Sequence, residues 1–194
     1  LARIAAAGAV VVHYETVSDE PDAFIASLKK ALSLTPDIVI STGAVSMGRY
    51  DFIPDALRGE NAEILFHKVA IRPGKPLLFA RLAGGQLYFG LPGNPVSSAV
   101  GLRFFVEAAI RTQLGLPPER SIKVPIKSAM KKKAGFRFHQ KAKLGVDTHG
   151  QLQVSVLSGQ ESFRIRPLLQ ANAWVVLPES AEHIAADSLV DVFG

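Results

Sequence analysis

Three short loops carry the groups able to do chemistry: STGAVSMGRYD at 41–51, IRPGKP at 71–76 and LPGNP at 91–95. Each follows or interrupts an apolar, strand-like run. Each combines Gly or Pro with groups that hold anions or backbone turns. In an α/β sheet, loops at strand ends line the binding crevice. The three loops are therefore expected to line one crevice and to hold a polyanion there.

In the first loop, the run IVIST ends in the hydroxyl pair Ser41–Thr42, followed by Gly43 and Gly48. Glycines let the backbone approach a ligand closely and adopt positive φ. Successive amide N–H groups in such a loop form an anion-binding nest, to which Ser41, Thr42 and Ser46 add hydroxyl donors. The same pattern also fits an ordinary βα turn, and it is neither a Walker loop nor a dinucleotide fingerprint. Asp51 stands three residues past Gly48. A carboxylate beside a phosphate nest requires a cation between them, which points to Mg²⁺ held by oxygen ligands. Helix capping is the alternative role for Asp51.

In HKVAIRPGKP, an extended chain places Lys68 and Arg72 on one face by its period of two, with Lys75 close by. Pro73 and Pro76 stiffen the turn. A rigid pair of cations suits a phosphate or another oxyanion such as sulfate or molybdate; surface cations have the same composition. In LPGNP, Pro92 and Pro95 give the loop a fixed shape and Asn94 can cap a helix while facing the crevice. The helix N-terminus adds partial positive charge. A structural strand-to-helix turn reads the same way. The five histidines lack metal-ligand spacing.

These loops need elements to position them. Residues 9–17 (AVVVHYETV) form a strand candidate rich in β-branched residues. In DEPDAFIASLKKALS, apolar residues recur at one face of a helix, with acids in the first turn and Lys29–Lys30 near the end. DIVIST then begins a second strand. That β–α–β order implies a parallel pair with a right-handed crossover. DFIPDALRG is expected as a short helix and EILFHKVAIRPGKPLLFARL as one or two strands. Gly84–Gly85 suits a hairpin into QLYFGLP. Asn94 reads as an N-cap with Pro95 at the first helical position, opening a long apolar helix that Gly115 ends. Beyond LPPER at 116–120, the short alternating runs SIKVPIK, FRFHQKAKL, QLQVSVL, AWVVLP and SLVDVFG point to a small all-β barrel or sandwich. The fold class is thus α/β, a three-layer domain with a mostly parallel sheet over 1–117, followed by a small all-β barrel domain over 118–194.

The chain has 194 residues, 48% of them hydrophobic and 20% charged, enough to bury a real core. The absence of cysteine excludes a disulfide scaffold, a thiolate metal site and a Cys nucleophile. No apolar run approaches the roughly 20 residues of a membrane span, and no basic region followed by a cleavage site marks a signal peptide. A start at Leu1 suggests a fragment. The formal charge is +5, and all nine Lys/Arg between Arg120 and Lys143 occur without one acid. Such a face attracts nucleic acid, a membrane surface or an acidic small molecule, or is simply solvated. The interleaved surface aromatics that stack bases are missing.

Taken in order and at this spacing, the loops resemble the molybdopterin molybdenumtransferase family. The likeness runs through DIVISTGAVSMGRYDFI, HKVAIRPGKPLLFA and LYFGLPGNPVSSAV, and extends weakly to SFRIRPLLQANAWVVLP. The resemblance implies most of a molybdopterin-binding domain, without its first strand and that strand's loop, and then a C-terminal β-barrel domain. It implies insertion of molybdenum from molybdate into molybdopterin, with cleavage of an adenylylated molybdopterin intermediate and Mg²⁺. It also implies a cytoplasmic homodimer whose cleft draws on both chains, with molybdopterin adenylyltransferase as a pathway partner. Carried over by position, Gly43, Ser46 and Gly48 match the pterin- or phosphate-holding loop, and Asp51 an active-site acid that binds Mg²⁺ or positions molybdate. Lys68 and Arg72 match a cationic pair for the oxyanion, with Lys75 beside them. Pro92, Asn94 and Pro95 match the loop shaping the cleft, and Lys141 and Ser162 polar positions facing it.

The chain departs from the family at Ala44, where Gly is usual, and at Arg49, where Glu is usual. Arg72 keeps the charge of a frequent Lys, and Lys141-Ala142 stands where Arg-Gly is usual. The Arg49 change leaves open a paralogue with altered activity, and a fragment is not expected to turn over alone. Two other readings remain: a molybdopterin adenylyltransferase, and a non-enzymatic molybdopterin-binding or scaffold module.

Overall fold

The computed structural model describes residues 1–43 and 52–194. The expectations on Ala44, Ser46, Gly48, Arg49 and Asp51 lie outside the described residues. The chain divides into two compact units, one made of Leu1–Val69 and Pro76–Pro118, the other of Ala70–Lys75 and Glu119–Gly194.

In the first unit, α1 (Ala2–Ala6) is followed by α2 (Pro21–Leu32), which starts with Pro at its first turn and ends with Lys29 and Lys30. These are the placements that a fixed φ and the helix dipole favour. Then come β1 (Ile38–Thr42), α3 (Ile53–Gly59) and β2 (Glu63–His67). After a two-residue strand of the second unit, β3 (Ile71–Arg72), the first unit resumes with β4 (Leu78–Arg81) and β5 (Leu87–Leu91). The long C-terminal helix is continuous but not uniform: α4 (Pro95–Gly101), a π-helical stretch over Leu102–Val106, then α5 (Glu107–Gln113). Gly115 terminates it at φ +69.

The sheet runs β1-β5-β4-β2. Only β1 and β5 are parallel; β5–β4 and β4–β2 are antiparallel. The sheet is therefore mixed rather than mostly parallel. The reason is local: the glycine turn after Leu82, closed by the Leu82 N–H to Gln86 O bond at 2.9 Å, folds β4 straight back into β5. Strand alternation sorts the core into two layers. Leu78, Ala80, Leu82 and Tyr88 pack with Leu28 of α2 and Leu57 of α3. Leu77, Phe89 and Leu91 pack on the other face with Val106 and Ile110.

The strand expected at 9–17 does not form. Residues 10–17 take part in no backbone hydrogen bond among the described residues, and Val10 is 85% exposed. A strand needs a ladder partner, and β1, the edge it would approach, pairs with β5 alone. The residues of 9–18 and of β1 instead border one cleft of about 1360 Å³, which also reaches Gly43 and Pro95.

The second unit is all-β apart from a 3₁₀ turn at Arg166–Leu169. It adds β6 (Ile122–Pro125), β7 (Met130–Lys131), β8 (Arg137–Val146), β9 (Leu152–Val156), β10 (Ala173–Leu177), β11 (His183–Ile184) and β12 (Leu189–Phe193). One sheet runs β3-β8-β10-β12-β6, with β9 also on β8, and β7 pairs β11 separately. A bridge from Ile126 to Val154, with the Lys127 N–H donating to Val154 O at 2.8 Å, returns the far edge to β9. The sheet thus curls around a core of Val124, Ile126, Ala142, Val154, Val175 and Val192.

Candidate functional site

The parallel pair β1–β5 brings two of the three loops together. Thr42 stands opposite Leu91, so both chains leave the sheet from the same end. The Gly43 N–H donates to Leu91 O at 3.0 Å. A Cβ on Gly93 would lie 3.6 Å from the Gly43 Cα, so the loops meet backbone to backbone. Gly43 sits at φ +93, which a side chain would oppose. This is the end of an α/β sheet at which ligands bind.

Below that junction, Ser41 Oγ and the Tyr88 hydroxyl share a hydrogen bond of 2.5 Å. Tyr88 is fully buried, and burial pushes its hydroxyl well above the usual tyrosine range. Ser41 Oγ is therefore turned toward Tyr88, along the cleft that β1 borders. Thr42 is the exposed hydroxyl of the pair.

In the LPGNP loop, Pro92 is buried and its carbonyl accepts a hydrogen bond from Ser98 Oγ. Gly93, Asn94 and Pro95 are exposed. Asn94 is the N-cap of α4, as expected, but its side chain makes no capping bond. Its carbonyl accepts the Ser98 N–H at 2.9 Å, which leaves the carboxamide facing solvent. Gly101 fixes how closely α4 approaches: a Cβ there would meet Leu91 Cδ2 at 2.8 Å.

The cationic pair is not built as the alternation argument requires. Lys68 leaves β2 at φ +71, so the chain between Lys68 and Arg72 is not one extended strand. Lys68 is exposed in the first unit, where its N–H donates to Leu77 O at 2.9 Å. Arg72 and Lys75 are exposed in the second unit. There β3 pairs parallel with β8, Arg72 opposite Phe138, and the Arg72 Cζ lies 6.0 Å from the Phe138 ring centroid.

Also in the second unit, Lys141 is fully buried. Its ammonium donates to the carbonyls of Gly159 (2.7 Å) and Arg164 (3.1 Å). Burial lowers its pKa first, Arg164 adds to that, and Glu161 opposes it. The Gln160 carboxamide closes the clamp, accepting the Lys141 N–H at 2.9 Å and donating to Lys141 O at 2.8 Å. Lys141 thus acts on the turn that carries half-buried Ser162 rather than presenting its own charge. Tyr88, Phe138 and Gln160 were not singled out by sequence, because one aromatic in an apolar strand or one amide in a loop gives no spacing signal. Among the described residues, no group of three or more His, Asp or Glu is placed to hold a metal ion, and no helix is long and apolar enough to cross a membrane.

Known proteins share this organisation. Residues 1–112 match the family described as "Probable molybdopterin binding domain", and residues 123–193 match "MoeA C-terminal region (domain IV)". A molybdopterin molybdenumtransferase of Synechococcus elongatus is 35% identical over 180 residues, covering 91% of this chain and 43% of that protein. The Bacillus subtilis protein of the same name is 35% identical over 175 residues, covering 89% of this chain and 40% of the relative. The chain thus spans less than half the length of these relatives. A solved molybdopterin biosynthesis MoeA protein from Pyrococcus horikoshii OT3 has the same fold at TM-score 0.70 and 22% identity, over 92% of this chain and 41% of its own.

Proposed function

Because the chain belongs to the family of probable molybdopterin binding domains and continues into a MoeA C-terminal region, we propose that it forms the pterin-binding and C-terminal parts of a molybdopterin molybdenumtransferase. The observation that carries this reading is the junction of Gly43, Leu91 and Gly93 at the ends of β1 and β5. Backbone there can approach a planar or phosphorylated ligand without side-chain obstruction. Exposed Thr42 and the free carboxamide of Asn94 add polar groups at its rim.

On this reading molybdenum from molybdate enters adenylylated molybdopterin, and AMP leaves. The loop of Gly43, Ser46 and Gly48 holds pterin or phosphate, with Pro92, Asn94 and Pro95 shaping the same wall. Lys68, Arg72 and Lys75 supply cationic donors for molybdate and for charge developing at the scissile phosphate. Ser162 contributes from the turn that Lys141 holds. Asp51 is the acid of the site. Mg²⁺ would be held by Asp51 together with the substrate's own phosphate oxygens, and would neutralise charge there. We place the domain boundary at 117–118, in the Pro-rich run between the two family matches, with residues 70–75 lending β3 to the second unit. The protein is proposed to work as a cytoplasmic homodimer that receives its substrate from molybdopterin adenylyltransferase.

The test is AMP release from adenylylated molybdopterin on addition of molybdate and Mg²⁺, measured on a polypeptide that carries these residues at the full length of the relatives. Residues 1–194 alone are expected to show no turnover. Asp51→Ala should abolish release while the fold survives. Retained pterin binding without any AMP release from the unmutated protein would instead favour a binding or scaffold module.

A further inference from the structure

Arg72 differs from five other arginines of this chain in what it touches. Arg3, Arg58, Arg81, Arg137 and Arg164 each pair with a carboxylate. Arg72 has no hydrogen-bond acceptor among the described residues; its guanidinium lies against the Phe138 ring. The backbone sets that placement. The Arg137 N–H donates to Ala70 O at 2.8 Å, and parallel pairing puts Arg72 directly opposite Phe138.

Phe138 is itself held. It is half-buried and packs against the β-unit core. The Lys132 ammonium lies 5.0 Å from the centroid of the same ring. Lys132 is buried and donates to the carbonyls of Phe136 (2.9 Å), Lys133 (3.3 Å) and Glu179 (3.4 Å). A second cation on one ring is thereby fixed and cannot move away. A guanidinium held over a ring by cation–π attraction spends none of its N–H donors on that contact, and those donors match an oxyanion two at a time.

We propose that Phe138 is the positioning residue for Arg72, holding the guanidinium with its donors turned outward to receive the molybdate oxyanion. This rests on the reading above in which Arg72 binds that oxyanion. The experiment is calorimetric titration of the protein with molybdate alone, with thermal melting as a check on folding. Phe138→Leu removes the ring at similar volume and should raise Kd about three- to tenfold. Phe138→Tyr keeps the ring and should bind within about twofold of the unmutated protein. Arg72→Lys keeps the charge without the planar group. In that background the Phe138→Leu effect should vanish, which a merely structural loss would not do. If Phe138→Leu binds molybdate normally while Arg72→Ala does not, the positioning role is wrong and the oxyanion role stands. If Arg72→Ala binds normally, the oxyanion role of Arg72 fails and takes the proposal with it.

Discussion

Ser41 and Tyr88 bind each other hydroxyl to hydroxyl at 2.5 Å across the parallel pair β1–β5, directly beneath the point where Gly43 meets Leu91. The two partners are unequal, because Tyr88 is fully buried and Ser41 is half-buried. Removing the tyrosine oxygen leaves a hydroxyl that water can reach. Removing the serine oxygen strands a phenol in the core. Tyr88→Phe should therefore cost about 1 kcal/mol and Ser41→Ala about 1–3 kcal/mol. Urea unfolding of the two variants checks the order; equal losses would mean that Tyr88 finds another partner.

Gly101 tests how tightly α4 seats on the same strand. Its backbone is ordinary right-handed helix, so space alone decides. Alanine gains up to about 1 kcal/mol of helix propensity. Its methyl would stand 2.8 Å from Leu91 Cδ2 and 3.4 Å from Leu77 Cδ1. Both leucines are buried, so overpacking of about 1–3 kcal/mol is expected to outweigh the gain. Gly101→Ala should melt lower than the unmutated chain. A higher melting temperature would show that the core gives way at Leu91.

The elements that sequence located best are those whose signal is local. Pro21 and Lys29–Lys30 bracket α2, the glycine pair makes the β4–β5 turn, and Gly115 ends α5. The apolar alternation found the five longer strands of the second unit. What failed depends on partners distant in sequence. Residues 9–17 have strand composition but no ladder to join, and the two-residue strands β7 and β11 exist only through each other. The site shows the same division. Gly43 was legible because a glycine records a backbone demand. The turn of Ser41 toward Tyr88 and the burial of Lys141 were not, since each is set by a partner that spacing does not reveal.

Lys141 should behave as a clamp. Lys141→Met keeps the length of the stem but leaves the Gly159 and Arg164 carbonyls without their donor. Losing two buried hydrogen bonds outweighs relief from burying a charge, for a net loss of about 2 kcal/mol. Hydrogen exchange should quicken across residues 157–164 and stay unchanged in α2 and β1 of the other unit. Uniform protection in the variant would show that Gln160 holds the turn unaided.

His139 gives the second unit a pH dependence of definite sign. It is 4% exposed, and its pKa is lowered from 6.5 to about 4, by burial first and then by the positive charge of Arg137. The folded chain therefore keeps the ring neutral where the unfolded chain protonates it. The stability tied to His139 is complete above about pH 6.5 and is lost as pH falls toward about 4, by up to roughly 3 kcal/mol. Carboxylates held ionised, such as Asp191 beside Ser121 and Lys123, add to the acid loss and mask it in the unmutated chain. His139→Phe isolates the effect, because it removes the titrating ring at a buried strand position whose cross-strand partner is Val176. Guanidinium unfolding at about pH 7 and about pH 4.5 should show a smaller acid loss in the variant by about 2 kcal/mol. Identical losses in the two proteins would mean that His139 takes up its proton inside the folded chain.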